Sequence, residues 1–253
     1  MRAECLPNTL LPLPDQVWGL KYLVFDTATD ETVVGAVDDG EISYSHRESS
    51  DDRGRPVHSQ GLVAAVESAV EALGGWTEVD RIVAGCGPGT FTGIRIGLST
   101  AQGLSLSSGR PASGFSTLEG IAFGMASATA SGNQLRLAVI DARRGEVFAA
   151  LYGPDGDEIW PAFVSSPEEL ADRLTGLGGD VLAGGSGAIR FSDELSRAGA
   201  EVPAPDADLH RLSPASICDV AVYLGGPDSN FLPLEPIYLR LPDAQLWIQR
   251  DAK

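Results

Sequence analysis

Residues 24–37 read VFDTATDETVVGAV, and residues 139–151 read VIDARRGEVFAAL. Each stretch has two apolar residues, an aspartate, four intervening residues, a glutamate and a second strand-like run. Asp26 matches Asp141, and Glu31 matches Glu146, at one and the same offset. Working outward from the first copy, the apolar, β-branched run 21–26 predicts a strand and 31–37 a second. Asp38-Asp39-Gly40 predicts a hairpin turn with a glycine where a positive φ is useful. A third strand follows at 41–47, and 48–57 is a charged loop holding Gly54 and Pro56. From His58 the period becomes helical, with Leu62, Val66, Ala69 and Leu73 on one line and Val63 and Val70 beside it, until Gly74-Gly75 stops the helix. A buried strand at 81–86, a glycine loop at 87–93, a helix at 94–108 and a short strand at 111–115 complete the unit. Residues 116–127 predict a helix opened by Ser116 as N-cap with Glu119 three positions on, a capping-box pattern. Residues 128–133 are a small, polar connector. The order then recurs: 158–164 as the third strand, and 180–183 as a later strand running into Gly184-Gly185-Ser186-Gly187, as 81–86 runs into GPGTFTG.

Three strands joined by hairpins, then a helical crossover to a parallel strand, make a mixed sheet, and the pattern is used twice. The expected class is α/β. The layout resembles the actin/Hsp70/hexokinase-like superfold, two ribonuclease-H-like halves facing across a cleft, with the second half reduced in helix. The expected division is an irregular extension over 1–20, a first half over 21–116, and a second half over 117–253 whose C-terminal segments pack back on the first.

Composition narrows the function. The chain has 253 residues, 43% of them hydrophobic, enough for a core without disulfide or metal staples. A net charge of −17, from 18 basic and 35 acidic residues, repels phosphate backbones and anionic lipid surfaces. Cys5, Cys86 and Cys218 are odd in number and far apart, which fits a reducing compartment and neither a disulfide framework nor a zinc knuckle. No apolar run reaches the length of a membrane span. Pro7, Pro12, Pro14, Glu4 and Asp15 break the N-terminal apolar stretches and argue against a signal peptide.

The candidate chemistry is sparse. Gly87, Gly89, Thr90 and Gly93, with Arg95 the nearest cation, run from strand into helix as an anion or nucleotide cradle would. No lysine follows the last glycine, so this is not a Walker loop, and a tight turn packing helix on sheet is the plainer account. Asp26 and Asp141 end their strands, where a carboxylate holds a metal or simply forms a turn; the turn is favoured. His58 has Gly61 and Leu62 at i+3 and i+4, so no helical metal pair forms. Gly184-Gly185-Ser186-Gly187-Ala188 misses the GxSxG nucleophile elbow at its last position. The expectation is no catalytic residue and no metal site. The wide apolar surface of helix 58–73, with that of 94–108, instead points to half of a four-helix interface through Leu62, Val63, Val66, Val70, Ile94, Leu98 and Ala101.

The run HSQGLVAAVESAVEALGGWTEVDRIVAGCGPGTFTGIRIGLSTAQGLSL, from residue 58 to 106, closely resembles the signature half of the TsaB (YeaZ) family. FDTAT, GFSTLEGIA, VIDARRGEVF and EPIYLRLPDA resemble its other landmarks in the same order, covering roughly residues 21–241. The family usually shows GPGSFTGLRIG where this chain has GPGTFTGIRIG. The extension, the loop 48–57 and the tail after 244 depart from its pattern. The resemblance implies a cytoplasmic, non-catalytic subunit that binds the transferase TsaD and works with the ATPase TsaE in making threonylcarbamoyladenosine in tRNA. It implies that the first two helices form the partner surface and support a homodimer in isolation. It implies only indirect contact with tRNA, and no cofactor unless ATP or ADP sits at the partner interface. The catalytic relative binds metal through two histidines on the equivalent helix; here only His58 is present. A glycoprotease-like or nucleotide-hydrolysing enzyme, and a stand-alone nucleotide sensor, are the alternatives.

Overall fold

The computed structural model describes residues 19–49, 58–126, 133–225 and 230–240, with only the backbone of 58–60. Most of the extension 1–20, most of the loop 48–57, the connector, Cys5 and the tail after 244 lie outside the described residues.

The first half runs β1 (Lys21–Asp26), β2 (Thr32–Asp38), β3 (Glu41–Glu48), α1 (His58–Ala72), β4 (Arg81–Gly85), α2 (Phe91–Ser108), β5 (Ala112–Phe115) and α3 (Thr117–Ala126). The second runs β6 (Leu135–Arg143), β7 (Glu146–Tyr152), β8 (Glu158–Ser165), α4 (Pro167–Thr175), β9 (Val181–Gly184), α5 (Ser186–Arg190), α6 (Ser192–Arg197), β10 (Ala200–Glu201), a short 3-10 helix Asp208–His210 and α7 (Pro214–Leu224). The sheets are ordered β3-β2-β1-β4-β5 and β8-β7-β6-β9-β10, the same order twice. In each, the first three strands are antiparallel and the last two join in parallel. This is the duplicated mixed sheet of the actin/hexokinase-like class, and the second half is reduced: α4, α5 and α6 have 9, 5 and 6 residues against 15 and 18 for α1 and α2.

Local chemistry sets the boundaries. Asp39 and Gly40 both take positive φ, 52° and 80°, the type I′ geometry that matches strand twist. Ser213 and Ser166 each close a capping box with proline in the first turn of α7 and α4. Helix α2 begins at Phe91 rather than Ile94, because Thr90 caps it by accepting the Gly93 amide, which puts Gly93 inside the helix. At α3 only half of the expected capping box forms. The Glu119 carboxylate accepts the Ser116 amide, while the Ser116 hydroxyl is turned toward the Tyr152 hydroxyl rather than onto a helix amide.

Each half lends a helix to the other. α3, which follows the first sheet, packs on β6 and β7; α7, which follows the second, packs on β1 and β2; and the two touch. The central core therefore mixes Val24 and Val33 of one sheet with Ala138, Ile140 and Phe148 of the other, around Leu118, Ile121, Ile217 and Ala221. Arg136, 1% exposed, ties α3 to this layer by donating to the carbonyls of Ala122 (3.2 Å), Gly153 (2.7 Å) and Pro154 (3.1 Å). Separate apolar layers lie under α1 on the first sheet and under α4 and α6 on the second. Among the described residues no helix is long and apolar enough to cross a membrane.

Burial on α3 also sets a pH dependence. Glu119 is pushed up from its ordinary 4.5 to about 7, first by burial and then by the Glu158 charge, against the Ser116 amide that lowers it. The folded state thus holds a proton that the unfolded chain releases. Stability from this group is complete below pH 4.5 and is lost as pH rises through 7. Glu119→Gln keeps an oxygen acceptor for Ser116 and removes the titration. The variant is expected to be more stable than the parent at pH 8 by on the order of 2 kcal/mol and equal to it near pH 4.5, as read from denaturant melts at both pH values.

Candidate functional site

The glycine loop is clamped onto the β1–β2 turn. The Thr90 amide donates to the Ala28 carbonyl (2.7 Å), and the Thr27 hydroxyl donates to the Gly93 carbonyl (2.8 Å). A Cβ on Gly89 would stand 2.2 Å from the Ala28 carbonyl oxygen, and one on Gly93 would stand 1.9 Å from that of Thr27. These glycines are required by backbone meeting backbone. The amides of Thr90, Gly93 and Ile94 are spent inside the loop and first helical turn. Arg95 is drawn over the Phe91 ring, 4.7 Å from its centroid.

The two aspartates are spent as well. Asp26 is fully buried; it accepts the Ala28 amide (2.6 Å) and the Thr117 hydroxyl (2.6 Å). Burial pushes its carboxyl up, and these hydrogen bonds oppose the push. Gly85 leaves it room, since a Cβ there would meet its oxygen at 1.8 Å. Asp141 accepts the Arg143 amide (2.9 Å) and the Arg190 guanidinium (2.7 Å). Both are turn formers, and neither presents free oxygens to a cation. No group of three or more His, Cys, Asp or Glu among the described residues is placed to hold a metal ion. A magnesium–nucleotide, which this fold class implies, fits poorly: Asp26 and Asp141 are held by turn amides, Thr117 and Arg190, and the amides of Thr90, Gly93 and Ile94 are already bonded. Nor do the described residues assemble a hydrolase triad: Ser186 Oγ accepts the Asp141 amide (3.1 Å) and His210 Nε2 faces the Pro203 carbonyl (3.1 Å).

A cleft of about 880 Å³ nevertheless lies between the halves. Ile121, Ile140, Phe148 and Leu212 are among its apolar lining, and Arg143, Arg211 and Arg240 among its charged lining. Arg143 meets Asp30 (3.0 Å), Arg211 meets Glu31, and Arg240 meets Glu146 (2.8 Å). At one side Phe91 stacks on Tyr238, with ring centroids 5.3 Å apart. None of these pairings was legible beforehand. Arg211 and Glu31 are 180 residues apart, and only the position of Arg240 in the EPIYLRLPDA landmark marked that segment at all.

The candidate interface needs correction. Leu62, Val66, Val70, Ile94, Leu98 and Ala101 are 0–6% exposed in the chain by itself. All but Ile94 and Leu98 belong to the layer beneath α1, and those two pack with Ala28 and Cys86. Only Val63, at 55% exposure, faces outward. Val70, on the second line of α1, is not spare surface, because the helix lies over both β2 and β3 and so buries a wide stripe. What the two helices do offer is a groove of about 510 Å³ lined by Val63, Glu67, Trp76, Thr100, Leu104 and Ser107 among others, with Leu106 87% exposed on α2. Trp76, just past the glycine stop, was the missed signal.

Residues 55–203 match the family model described as TsaD, tRNA N6-adenosine threonylcarbamoyltransferase. The chain is 35% identical to the Escherichia coli (strain K12) protein called tRNA threonylcarbamoyladenosine biosynthesis protein TsaB, over 66% of this chain and 72% of that one. It is 28% identical to the Haemophilus influenzae protein of the same name, over 87% and 94%. Among solved structures it superimposes on an uncharacterized Pseudomonas aeruginosa protein with similarity to peptidase YEAZ at a TM-score of 0.70 and 26% identity, covering 87% of this chain and all of that one.

Proposed function

The chain belongs to the TsaB (YeaZ) family, and from that premise we propose that it is a non-catalytic partner subunit in the synthesis of threonylcarbamoyladenosine in tRNA. It binds the TsaD transferase, works with the TsaE ATPase in the cytoplasm, and pairs with itself when TsaD is absent. The observation that carries the reading is the bonded state of the cleft chemistry. Asp141, the aspartate that lines the cleft, is engaged by the Arg143 amide and the Arg190 guanidinium, and its counterpart Asp26 is buried and accepts from Ala28 and Thr117. Charge supports it too, since a chain at −17 leaves the phosphate contacts of tRNA to another subunit. The groove between α1 and α2, with Val63 exposed in its lining, is the surface offered to TsaD. An exposed valine in a groove that Trp76 and Leu104 also line is suited to the centre of an interface that buries about 1,600 Å² in total.

Co-expression of the tagged chain with TsaD of the same organism tests this. A stable complex is expected on size-exclusion chromatography. Val63→Glu strands a charge in the dry contact and is expected to weaken both this complex and the homodimer at least tenfold, while the melting temperature of the monomer stays put. Failure to recover any complex with TsaD would overturn the reading. An intact complex with Val63→Glu would move the interface elsewhere.

A further inference from the structure

We propose that the cleft is held shut by an ionic latch, in which the duplicated turns of the two halves and the segments that follow them are joined by three arginine–carboxylate pairs. The rungs come from separate parts of the chain. Arg143, in the β6–β7 turn of the second half, reaches Asp30 in the β1–β2 turn of the first at 3.0 Å. Arg211, just after the 3-10 helix, meets Glu31 through Nη2 and Nε and also takes in the Ser49 hydroxyl. Arg240, at the end of the segment 230–240, meets Glu146 at 2.8 Å.

Two features set this apart from incidental surface pairing. Glu31 and Glu146 are the matched glutamates of the internal repeat. Each receives an arginine from a segment outside its own hairpin, so the two copies share one device. The turns have also diverged to opposite sign, with Asp30 and Glu31 on one and Arg143 and Arg144 on the other. To present Arg143, the second turn holds two non-glycine residues at positive φ, Arg143 at 66° and Arg144 at 58°. Such backbone is costly and persists where surrounding contacts require it.

The pair strengths differ. Arg143 and Asp30 are 63% and 57% exposed, so screening leaves that rung weak. Glu31 is only 13% exposed, which makes Arg211–Glu31 the strongest rung at low salt, while Arg211, 44% exposed, leaves it open to screening at high salt. The segment bearing Arg240 is itself tied to the first half. Leu232 pairs with Gly114, the Ile237 amide donates to the Cys86 carbonyl (2.8 Å), and Tyr238 stacks on Phe91. Arg240 thus carries the first sheet's edge across to the second half. Because α3 and α7 already join the halves through the shared core, the latch governs the mouth of the cleft and access to its apolar lining rather than the docking of the halves.

Spin labels at Thr92→Cys and Asp193→Cys, one exposed position on each half, on a Cys5→Ser background, report the width of the mouth by pulsed dipolar spectroscopy. In 0.1 M NaCl the distance distribution is expected to be narrow. In 1 M NaCl, where the screening length falls to about 3 Å, it is expected to widen at least twofold. Arg143→Asp and Arg211→Glu should each widen it at low salt. The exchanges Asp30→Arg with Arg143→Asp, and Glu31→Arg with Arg211→Glu, should narrow it again, which loss of bulk or mild misfolding would not produce. An unchanged distribution at high salt, or single variants that do not widen it, or exchanges that do not restore it, would overturn the latch. The salt comparison needs no charge variant and decides the matter if one fails to fold.

Discussion

Val70→Glu is expected to abolish folding, whereas Val63→Glu, seven residues earlier on the same helix, is expected to leave the monomer intact. Val70 is 4% exposed and packs among Leu23, Val34 and Ala69 beneath α1, with no described partner for a carboxylate. An unpaired charge there either stays ionised at a cost of several kcal/mol or takes a proton and still leaves a polar group unmatched. Added to the lost valine packing, the penalty is about 4–6 kcal/mol, comparable with the whole stability of many domains. Far-ultraviolet circular dichroism and expression in the soluble fraction check it. A cooperative melt for Val70→Glu near that of the parent would show that α1 does not sit as described. Val63, 55% exposed, has water available to any charge placed on it.

Gly93→Val is the second large effect. The added Cβ falls 1.9 Å from the Thr27 carbonyl oxygen and 2.6 Å from the Thr90 hydroxyl. The first contact is with backbone, which cannot rotate away, so α2 must lift off the β1–β2 turn. That breaks the Thr27–Gly93 hydrogen bond, the Thr90 cap and the packing of Ile94 on Cys86 together. The expected loss is about 3–5 kcal/mol, beyond ordinary overpacking because no side chain can yield. Gly103, on the same helix with nothing within 4 Å of a built Cβ, is the control. Gly103→Ala is expected to be neutral or to stabilise slightly. Guanidinium melts of both variants give the comparison, and equal midpoints would refute the close approach of α2 to the turn.

Much of the fold was legible because it is local and repeated. The Asp–x4–Glu hairpin marks β1–β2 and β6–β7 alike, and the alternation of glycine stops with apolar runs marks the crossovers. The repeat also announced that Asp26 and Asp141 occupy equivalent positions, and turn chemistry accounts for the amide that each accepts two residues on, whereas Thr117 and Arg190 reach them from distant elements. Two things were hidden. The width of the face that α1 buries depends on how many strands it covers, and the helix pattern of Leu62, Val66 and Val70 looks the same over one strand or two. The arginine pairs depend on the path of the chain after α7 and around the 3-10 helix, where no periodicity guides the reader. Arg211 has no neighbour in sequence that announces Glu31. The exposed groove beside Val63 was masked in the same way, because Trp76 and Leu104 reach it from different elements.

The most direct test of the central claim is reconstitution of the tRNA modification from purified components, with the modified nucleoside quantified by mass spectrometry after digestion. With the organism's TsaD and TsaE, the threonylcarbamoyl donor and tRNA present, addition of this chain is expected to raise product at least tenfold, and the chain without TsaD is expected to give none. Product formed by this chain in the absence of TsaD, or a TsaD reaction that runs equally well without it, would contradict the account.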